Sequence, residues 1–302
     1  NMSWQNFILS AVIRRRQRGT MKLTPEHRFK RQRKFMAMAI GKPNPAVTSK
    51  ADKISGVAVE WLVPKGVDSS PHAPVCVYYH GGAFIMGGMN SHRQMCSQLA
   101  VDANIAVLMV DYRLAPEHPY PAATEDAVAV YLALINAGYS AAKIIIAGDS
   151  AGGNLALTTL QKLRNEDQPS PAGAILYSPW LDLSHNSESF TSNSHSDVLL
   201  NKTLLDEAVA LYAPNISRDD PRISPLFGNV AGLPPLFIIA SGAEVLLDDA
   251  TRLQQMVERQ NGYSTYLEWP KPPHAFPVMS QFLPEARAAL KQSAAFISKH
   301  IA

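Results

Sequence analysis

The chain has 302 residues, of which 46% are hydrophobic and 18% charged, and its formal net charge is +3 at pH 7. This composition excludes a disordered chain, and the length allows one α/β domain with an added cap. The charge is uneven, because residues 1–50 hold twelve Lys or Arg but only one acid, Glu26. Such a basic segment can bind anionic lipid or nucleic acid, but we favour a solvated helical face packed on an acidic body. Without a recognised nucleic-acid motif, we expect no nucleic-acid partner.

The first 45 residues carry apolar side chains among the basic ones and predict helix as far as Gly41-Lys42-Pro43. Their apolar stretch precedes the positive charges, whereas a signal peptide has the opposite order. No apolar run reaches the roughly 20 residues of a transmembrane helix. Cys76 and Cys96 fall in buried patterns and predict free thiols, so we expect a cytoplasmic protein. Neither cysteine has metal-ligand spacing, and we expect no metal or other cofactor.

From about residue 55, predicted strands and helices alternate, which indicates a mostly parallel sheet with helices on both faces. Between residues 181 and 234 this rhythm is interrupted by a Ser/Asn/His-rich loop and a helix, a connection long enough for a lid. We therefore expect a cap segment at 1–50, core at 51–184, a second cap segment at 185–222 and core at 223–302. The predicted strands cover residues 56–63, 74–79, 103–110, 143–147, 173–177, 235–240 and 264–269. The predicted helices cover residues 91–101, 122–137, 151–163, 199–212, 246–260 and 284–300.

The pentapeptide Gly148-Asp149-Ser150-Ala151-Gly152 lies between a predicted strand and a predicted helix. A bare G-x-S-x-G pattern is common by chance, but this setting favours a sharp turn that exposes the serine hydroxyl. Ser150 is the predicted nucleophile. A serine needs a base, an acid that orients the base, and donors for the oxyanion.

Two other strand ends supply candidates for these roles. His274 follows the last predicted strand and is the candidate base, and Glu244 follows the preceding strand and is the candidate acid. Asp248 and Asp249 compete with Glu244 but fall in the first turn of the next helix.

The oxyanion donors are predicted from the backbone. The loop after the strand at 74–79 contains Gly81 and Gly82, whose amides can approach a substrate closely, and Ala151 adds an amide at a helix N-terminus. A turn that serves only connectivity is the alternative interpretation of this loop.

Four segments together resemble the hormone-sensitive-lipase-like carboxylesterases, also called bacterial family IV esterases. They are residues 80–84 (His-Gly-Gly-Ala-Phe), 111–123, 148–154 (Gly-Asp-Ser-Ala-Gly-Gly-Asn) and 274–276. The resemblance covers about residues 55–300 and implies an α/β-hydrolase fold with a helical cap. It also implies hydrolysis of short- to medium-chain acyl esters, with the roles given above for Ser150, His274, Gly81, Gly82 and Ala151. The family usually has Asp where this chain has Glu244, and a third glycine where it has Ala83.

Other functions and sites stay open at this stage. An amidase or deacetylase would use the same triad, and a non-catalytic receptor on this scaffold would lack the histidine present here as His274. Phe84, Met86 and Leu181 are candidate walls of an acyl pocket or plain core residues. Arg113, Glu117 and His118 are expected to form a polar brace behind the site. Family habit suggests a homodimer through the last strand.

Overall fold

The computed structural model describes residues 2–38 and 41–301. An eight-stranded sheet runs through the centre in the order β1-β2-β4-β3-β5-β6-β7-β8. β1 and β2 pair with their neighbours in antiparallel fashion, and the remaining strands are parallel. The strands are β1 (Val47–Ile54), β2 (Val57–Pro64), β3 (Val75–Tyr79), β4 (Ala106–Asp111), β5 (Ile144–Asp149), β6 (Gly173–Tyr177), β7 (Leu236–Ser241) and β8 (Ser264–Trp269).

Helices flank this sheet on both faces, as the alternating pattern predicts. Their bounds are α1 (Trp4–Met21), α2 (Pro25–Met38), α3 (Met89–Ala103), α4 (Ala122–Asn136), α5 (Ala151–Asn165), α6 (Ser189–Ser192), α7 (Lys202–Tyr212), α8 (Leu247–Arg259) and α9 (Pro284–His300). None of the described helices is both long and apolar enough to cross a bilayer.

The two faces of the sheet carry separate hydrophobic cores because side chains alternate along each strand. Cys76 and Tyr78 of β3 join the core formed with α3 and α9, whereas Val77 joins the core formed with α4, α5 and α8. Both cysteines are buried free thiols, as predicted, and burial raises the pKa of Cys76 to about 12. The parallel strands from β3 to β7 are therefore buried on both sides, whereas the edge strand β8 is half-buried. The carboxyl ends of the parallel strands form one edge on which a site can be built.

The N-terminal region contains one strand that the sequence pattern did not predict. Strand β1 was not predicted, because its polar sequence is exposed at nearly every position and lacks the alternation of a half-buried strand. The helical prediction for residues 1–45 corresponds to two helices, α1 and α2, which separate after Met21. The part of that prediction that covers residues 39 and 40 lies outside the described residues.

The first two helices, here called the head (residues 2–38), pack against residues 185–222, here called the insertion. Gln17 of the head donates to the carbonyl of Leu199 at 2.7 Å. Arg28 forms a largely buried ion pair with Glu207 at 2.7 Å. Head and insertion therefore meet beyond the carboxyl edge of the sheet, while β1 begins within the 1–50 segment and ends beyond it.

Candidate active site

Ser150 lies at a tight turn between β5 and α5. Its φ of +52° and ψ of −117° are values that few non-glycine residues adopt, and such strain is concentrated at functional sites. The turn is closed by a close approach of α5 to β3, since a Cβ on Gly152 would lie 1.9 Å from the Tyr79 carbonyl oxygen. The Ser150 N–H donates to the carbonyl of Tyr177 at 2.9 Å. Backbone packing thus fixes this turn against the ends of β3 and β6.

The carboxylate of Asp149, next to Ser150, is buried and accepts several hydrogen bonds. Tyr78 donates from its hydroxyl at 2.8 Å, Gly81 from its N–H at 2.9 Å, and His92 Nε2 lies 3.1 Å away. Burial by itself raises the pKa of Asp149, but His92 and the hydrogen bonds outweigh it and hold the pKa below its ordinary value. Asp149 is therefore ionised and ties the Ser150 turn to the loop after β3.

The hydrogen bond from Gly81 to Asp149 speaks against the prediction that the Gly81 N–H stabilises the oxyanion. The Gly81 N–H has a single proton, and that proton already points at Asp149. The N–H groups of Gly82, Ala83 and Ala151 have no acceptor among the described residues. Gly82 has a φ of +127° and Ala83 a φ of +54°, so the loop bends sharply between them. The free donors of this region are thus Gly82, Ala83 and Ala151.

Aromatic packing supports the same loop. His80 is stacked on Tyr112 with ring centres 4.2 Å apart, and the Tyr112 hydroxyl donates to the His80 carbonyl at 2.6 Å. Burial lowers the pKa of His80 to about 4, so this imidazole is neutral at pH 7. The ring and the carbonyl of His80 are thus both held by Tyr112, which supports the position of the loop.

Glu244 and His274, predicted from two separate strand ends, lie in direct contact. His274 Nδ1 is 2.5 Å from Glu244 Oε2, and the other carboxylate oxygen accepts from the Ser241 N–H at 2.8 Å. Glu244 is fully buried and His274 is 6% exposed. The Ser241 hydroxyl donates to the carbonyl of Pro272 at 2.5 Å, which ties the end of β7 to the His274 loop. The acid and the imidazole are thus held as one unit.

The carboxylates around His274 raise its pKa. Burial by itself lowers that pKa, and the bond and charge of Glu244, followed by the charge of Asp197, more than offset the effect. An imidazole in this setting binds a proton more tightly than an imidazole in solution does, a property that suits a general base.

The Ser150 turn and the His274 loop meet at the end of β6. Ser150 bonds to the Tyr177 carbonyl, and the N–H of Ala275 donates to the hydroxyl of Ser178 at 3.1 Å. Within the described residues no hydrogen bond joins the Ser150 hydroxyl to His274, a contact that often tightens only when substrate binds.

The insertion holds the loop that carries Glu244. Asn193 donates to the carbonyls of Gly242 at 3.2 Å and Glu244 at 2.9 Å. Ser196 donates to the carbonyl of Ala243 at 2.9 Å, and Asp197 accepts from the Val245 N–H at 2.9 Å. Sequence reasoning missed these supporting residues. The polar composition of the insertion was the available signal, but it does not reveal partners some 50 residues away.

The two rival acids face other partners. Asp248 accepts from the Ser189 N–H at 2.8 Å, and Asp249 accepts from the N–H groups of Leu181 at 2.6 Å and Asp182 at 2.9 Å. Burial raises the pKa of Asp249 to about 8. Both aspartates therefore support the insertion and the chain after β6 and make no hydrogen bond to His274.

The candidate pocket walls belong to the core beside Ser150. Phe84 is fully buried and stacks on Tyr212 of the insertion with ring centres 3.8 Å apart. Leu181 is fully buried in the same core, and Met86 is partly buried against it. Phe84 and Leu181 thus expose no surface to a substrate in this arrangement of head and insertion.

Among the described residues, the side chains of Arg113, Glu117 and His118, the residues of the predicted brace, form no hydrogen bond or ion pair with one another. Arg113 pairs with Asp126 at 2.8 Å, and Glu117 pairs with Arg33 of the head at 2.6 Å. His118 joins neither pair through its side chain among the described residues. The segment therefore links α4 and the head to the core and is not one local network.

Two cavities lie near this edge of the sheet. One of about 10 Å³ is lined by Ser10 of the head, Asp197 of the insertion and His274, which places head and insertion directly over the His274 loop. A wider polar depression of about 930 Å³ lies between the insertion and α8 and includes Asp182 and Arg252. It does not include Ser150, Glu244 or His274, so we do not regard it as the active site.

Comparisons with known proteins agree with this geometry. The sequence profile of an alpha/beta hydrolase fold family matches residues 76–278. An acetyl-hydrolase of Streptomyces hygroscopicus is 38% identical over 79% of this chain and 78% of its own. An esterase of Acinetobacter venetianus is 36% identical, with coverage of 84% and 82%. The crystal structure of an esterase from the bacterial hormone-sensitive lipase family superposes with a TM-score of 0.92 at 33% identity, over all of both chains. The chain belongs to the hormone-sensitive-lipase-like carboxylesterases of the α/β-hydrolase fold.

Proposed function

We propose that Ser150, His274 and Glu244 are the catalytic triad with which this chain hydrolyses carboxylic esters. The observation that carries the proposal is the 2.5 Å contact between His274 Nδ1 and Glu244 Oε2 at the edge of the sheet where Ser150 lies at its strained turn. The contact leaves Nε2 of the imidazole free to accept the serine proton, which is the role of the histidine in such triads.

The reaction proceeds through an acyl-enzyme intermediate. Ser150 Oγ attacks the ester carbonyl carbon while its proton passes to His274 Nε2, and the C–O bond to the alcohol breaks as that proton is returned to the leaving alkoxide. A water molecule then attacks the acyl-enzyme and gives its proton to His274, and the carboxylic acid and the serine hydroxyl are released. Throughout, Glu244 holds the tautomer of His274 that has its proton on Nδ1.

The oxyanion of each tetrahedral intermediate is stabilised by the amides of Gly82, Ala83 and Ala151. Their N–H groups are free, whereas the Gly81 N–H is bound to Asp149. Removal of one such donor typically lowers turnover by about 100- to 1,000-fold. In this proposal Gly81 supports the loop and does not contact the substrate.

The substrates are esters with short to medium acyl chains, and Phe84, Met86 and Leu181, in the core beside Ser150, are the candidate walls of the acyl pocket. The acetyl-hydrolase among the relatives supports a small acyl group. Turnover of p-nitrophenyl esters with graded acyl chains, beside the matching anilides, separates an esterase from an amidase that uses the same triad.

Two further proposals concern assembly and location. β8 lies at the edge of the sheet, so its free hydrogen-bonding groups can pair with a second copy in a homodimer near Tyr266 and Trp269. The two free thiols favour a reducing compartment such as the cytoplasm. Sedimentation velocity and cell fractionation test these two proposals.

Labelling with an organophosphate tests the nucleophile. We expect one adduct, mapped to Ser150 by mass spectrometry, and none on the Ser150→Ala variant. This variant should fold normally and lose at least about three orders of magnitude in turnover, because triad residues act as a unit. An adduct on another residue that accounts for the loss of activity would overturn the assignment.

A further inference from the structure

The exposed face of α1 is divided into an apolar half and a basic half. Trp4, Phe7, Ile8 and Val12 are 70%, 65%, 52% and 59% exposed, an unusual amount of bare hydrophobic surface on one helix. Their spacing of three and four residues places them on one side of the helix. We call this side, with the basic residues that continue it, the docking face.

Basic side chains continue the same side of α1 toward its C-terminal end. Arg15, Arg18 and Lys22 follow at helical spacing and are exposed, and their side chains have no hydrogen-bond or ion-pair partner among the described residues. Residues 2–25 contain no acid. The docking face therefore carries uncompensated positive charge next to exposed aromatic and aliphatic side chains.

The opposite side of α1 contacts the active-site region. Asn6 donates to the carbonyl of Lys271 at 3.3 Å, Gln17 donates to the carbonyl of Leu199, and Ser10 lines the small cavity beside His274. The docking face thus lies about one helix diameter, roughly 10 Å, from the loop that carries the proposed catalytic base.

We propose that the docking face binds an anionic lipid surface. Such a surface presents phosphates above an apolar layer. A helix that lies in this boundary can place its basic side chains at the phosphates and its bulky apolar side chains in the apolar layer. Nucleic acid would satisfy the charges but leave the exposed Trp4, Phe7 and Ile8 without an apolar partner. A second copy of the face brings no acid to meet Arg15 and Arg18. This inference concerns binding alone and does not depend on the proposed triad.

Co-sedimentation with vesicles of phosphatidylcholine, with or without phosphatidylglycerol, tests the proposal. We expect binding only when phosphatidylglycerol is present, and release as salt is raised. R15Q/R18Q/K22Q should weaken partitioning by about 100-fold, since each basic side chain near an anionic surface contributes roughly a five-fold factor. W4S/F7S/I8S should weaken it by at least about ten-fold, because the buried apolar area is lost.

Two control variants remove the same kinds of side chain elsewhere. K50Q/K53Q/K65Q removes three exposed lysines on or beside β1 and β2, and F227S/Y263S removes two exposed aromatic side chains far from α1 in sequence. Both should bind vesicles like the unaltered protein. All variants should keep their melting temperature and their turnover of soluble p-nitrophenyl acetate, which shows that the fold is intact.

Several results would overturn the proposal. They are no vesicle binding at low salt, equal loss in the control variants, or full binding by W4S/F7S/I8S. Binding of a DNA duplex without vesicle binding would assign the charges to nucleic acid. A dimer that W4S/F7S/I8S converts to a monomer, again without vesicle binding, would assign the apolar half to a second copy.

Discussion

Ser150 is fixed by the backbone, whereas Glu244 and His274 are fixed by side chains that come from other parts of the chain. The serine turn depends on the approach of α5 to β3 and on an N–H bond to β6. The acid loop is held by Asn193, Ser196 and Asp197 of the insertion. The proposed nucleophile is thus positioned by the core, and the proposed acid–base pair depends on contacts with the insertion.

The largest difference between these two regions should appear when backbone packing is disturbed. Gly152→Ala places a Cβ against the Tyr79 carbonyl, so α5 or β3 must shift. A shift of about 1 Å at a nucleophile can cost about 100-fold in turnover, and overpacking costs about 1–3 kcal/mol of stability. We expect both losses by ester assay and thermal melting. Gly19→Ala, where the added Cβ meets open space, is the matched control and should show neither.

A change in the insertion should slow the reaction without weakening the core. Asn193→Ala removes two hydrogen bonds to the acid loop, and we expect turnover to fall by about ten-fold while the melting temperature stays nearly constant. Ser194→Ala is the control, since among the described residues that hydroxyl bonds only to the nearby Thr191 carbonyl. A normal rate for Asn193→Ala would contradict the idea that the insertion positions Glu244.

The smallest effect is a displaced pH profile. If His274 is the proposed general base, the rate depends on its neutral form, so activity should be lost as pH falls through the pKa of this imidazole. Because Glu244 and Asp197 raise that pKa, the ascending limb of kcat/KM should have its midpoint above the ordinary value of about 6.5. Asp197→Asn removes one of these charges and should move the midpoint to lower pH. An unchanged or higher midpoint in this variant would contradict the electrostatic part of the account.

The features predicted correctly from the sequence are those that a local pattern of residues determines. The alternation of strand and helix patterns located the seven strands from β2 to β8, and small residues around Ser150 located the turn. Chain order alone selected Glu244 and His274. Strand β1 was missed because its exposed polar residues carry no periodic signal; its place is set by pairing with β2.

The errors in the site come from contacts that bridge distant residues. Gly81 and Asp149 are 68 residues apart, and only the folded chain shows that the carboxylate occupies the N–H assigned to the oxyanion. The partners of Arg113 and Glu117 likewise lie on α4 and the head. A motif identifies residue types at a site, but hydrogen-bond partners decide which groups remain free for chemistry.

Parallel turnover measurements on Glu244→Gln, Asp248→Asn and Asp249→Asn test the central claim most directly, namely that Glu244 alone orients His274. Gln keeps the shape of Glu but favours the wrong imidazole tautomer, an effect worth about four orders of magnitude in a serine protease triad. We expect a loss of that order for Glu244→Gln, partial activity for Glu244→Asp, and far smaller losses for the two Asn variants. A loss in Asp248→Asn or Asp249→Asn that equals or exceeds the loss in Glu244→Gln would contradict the assignment.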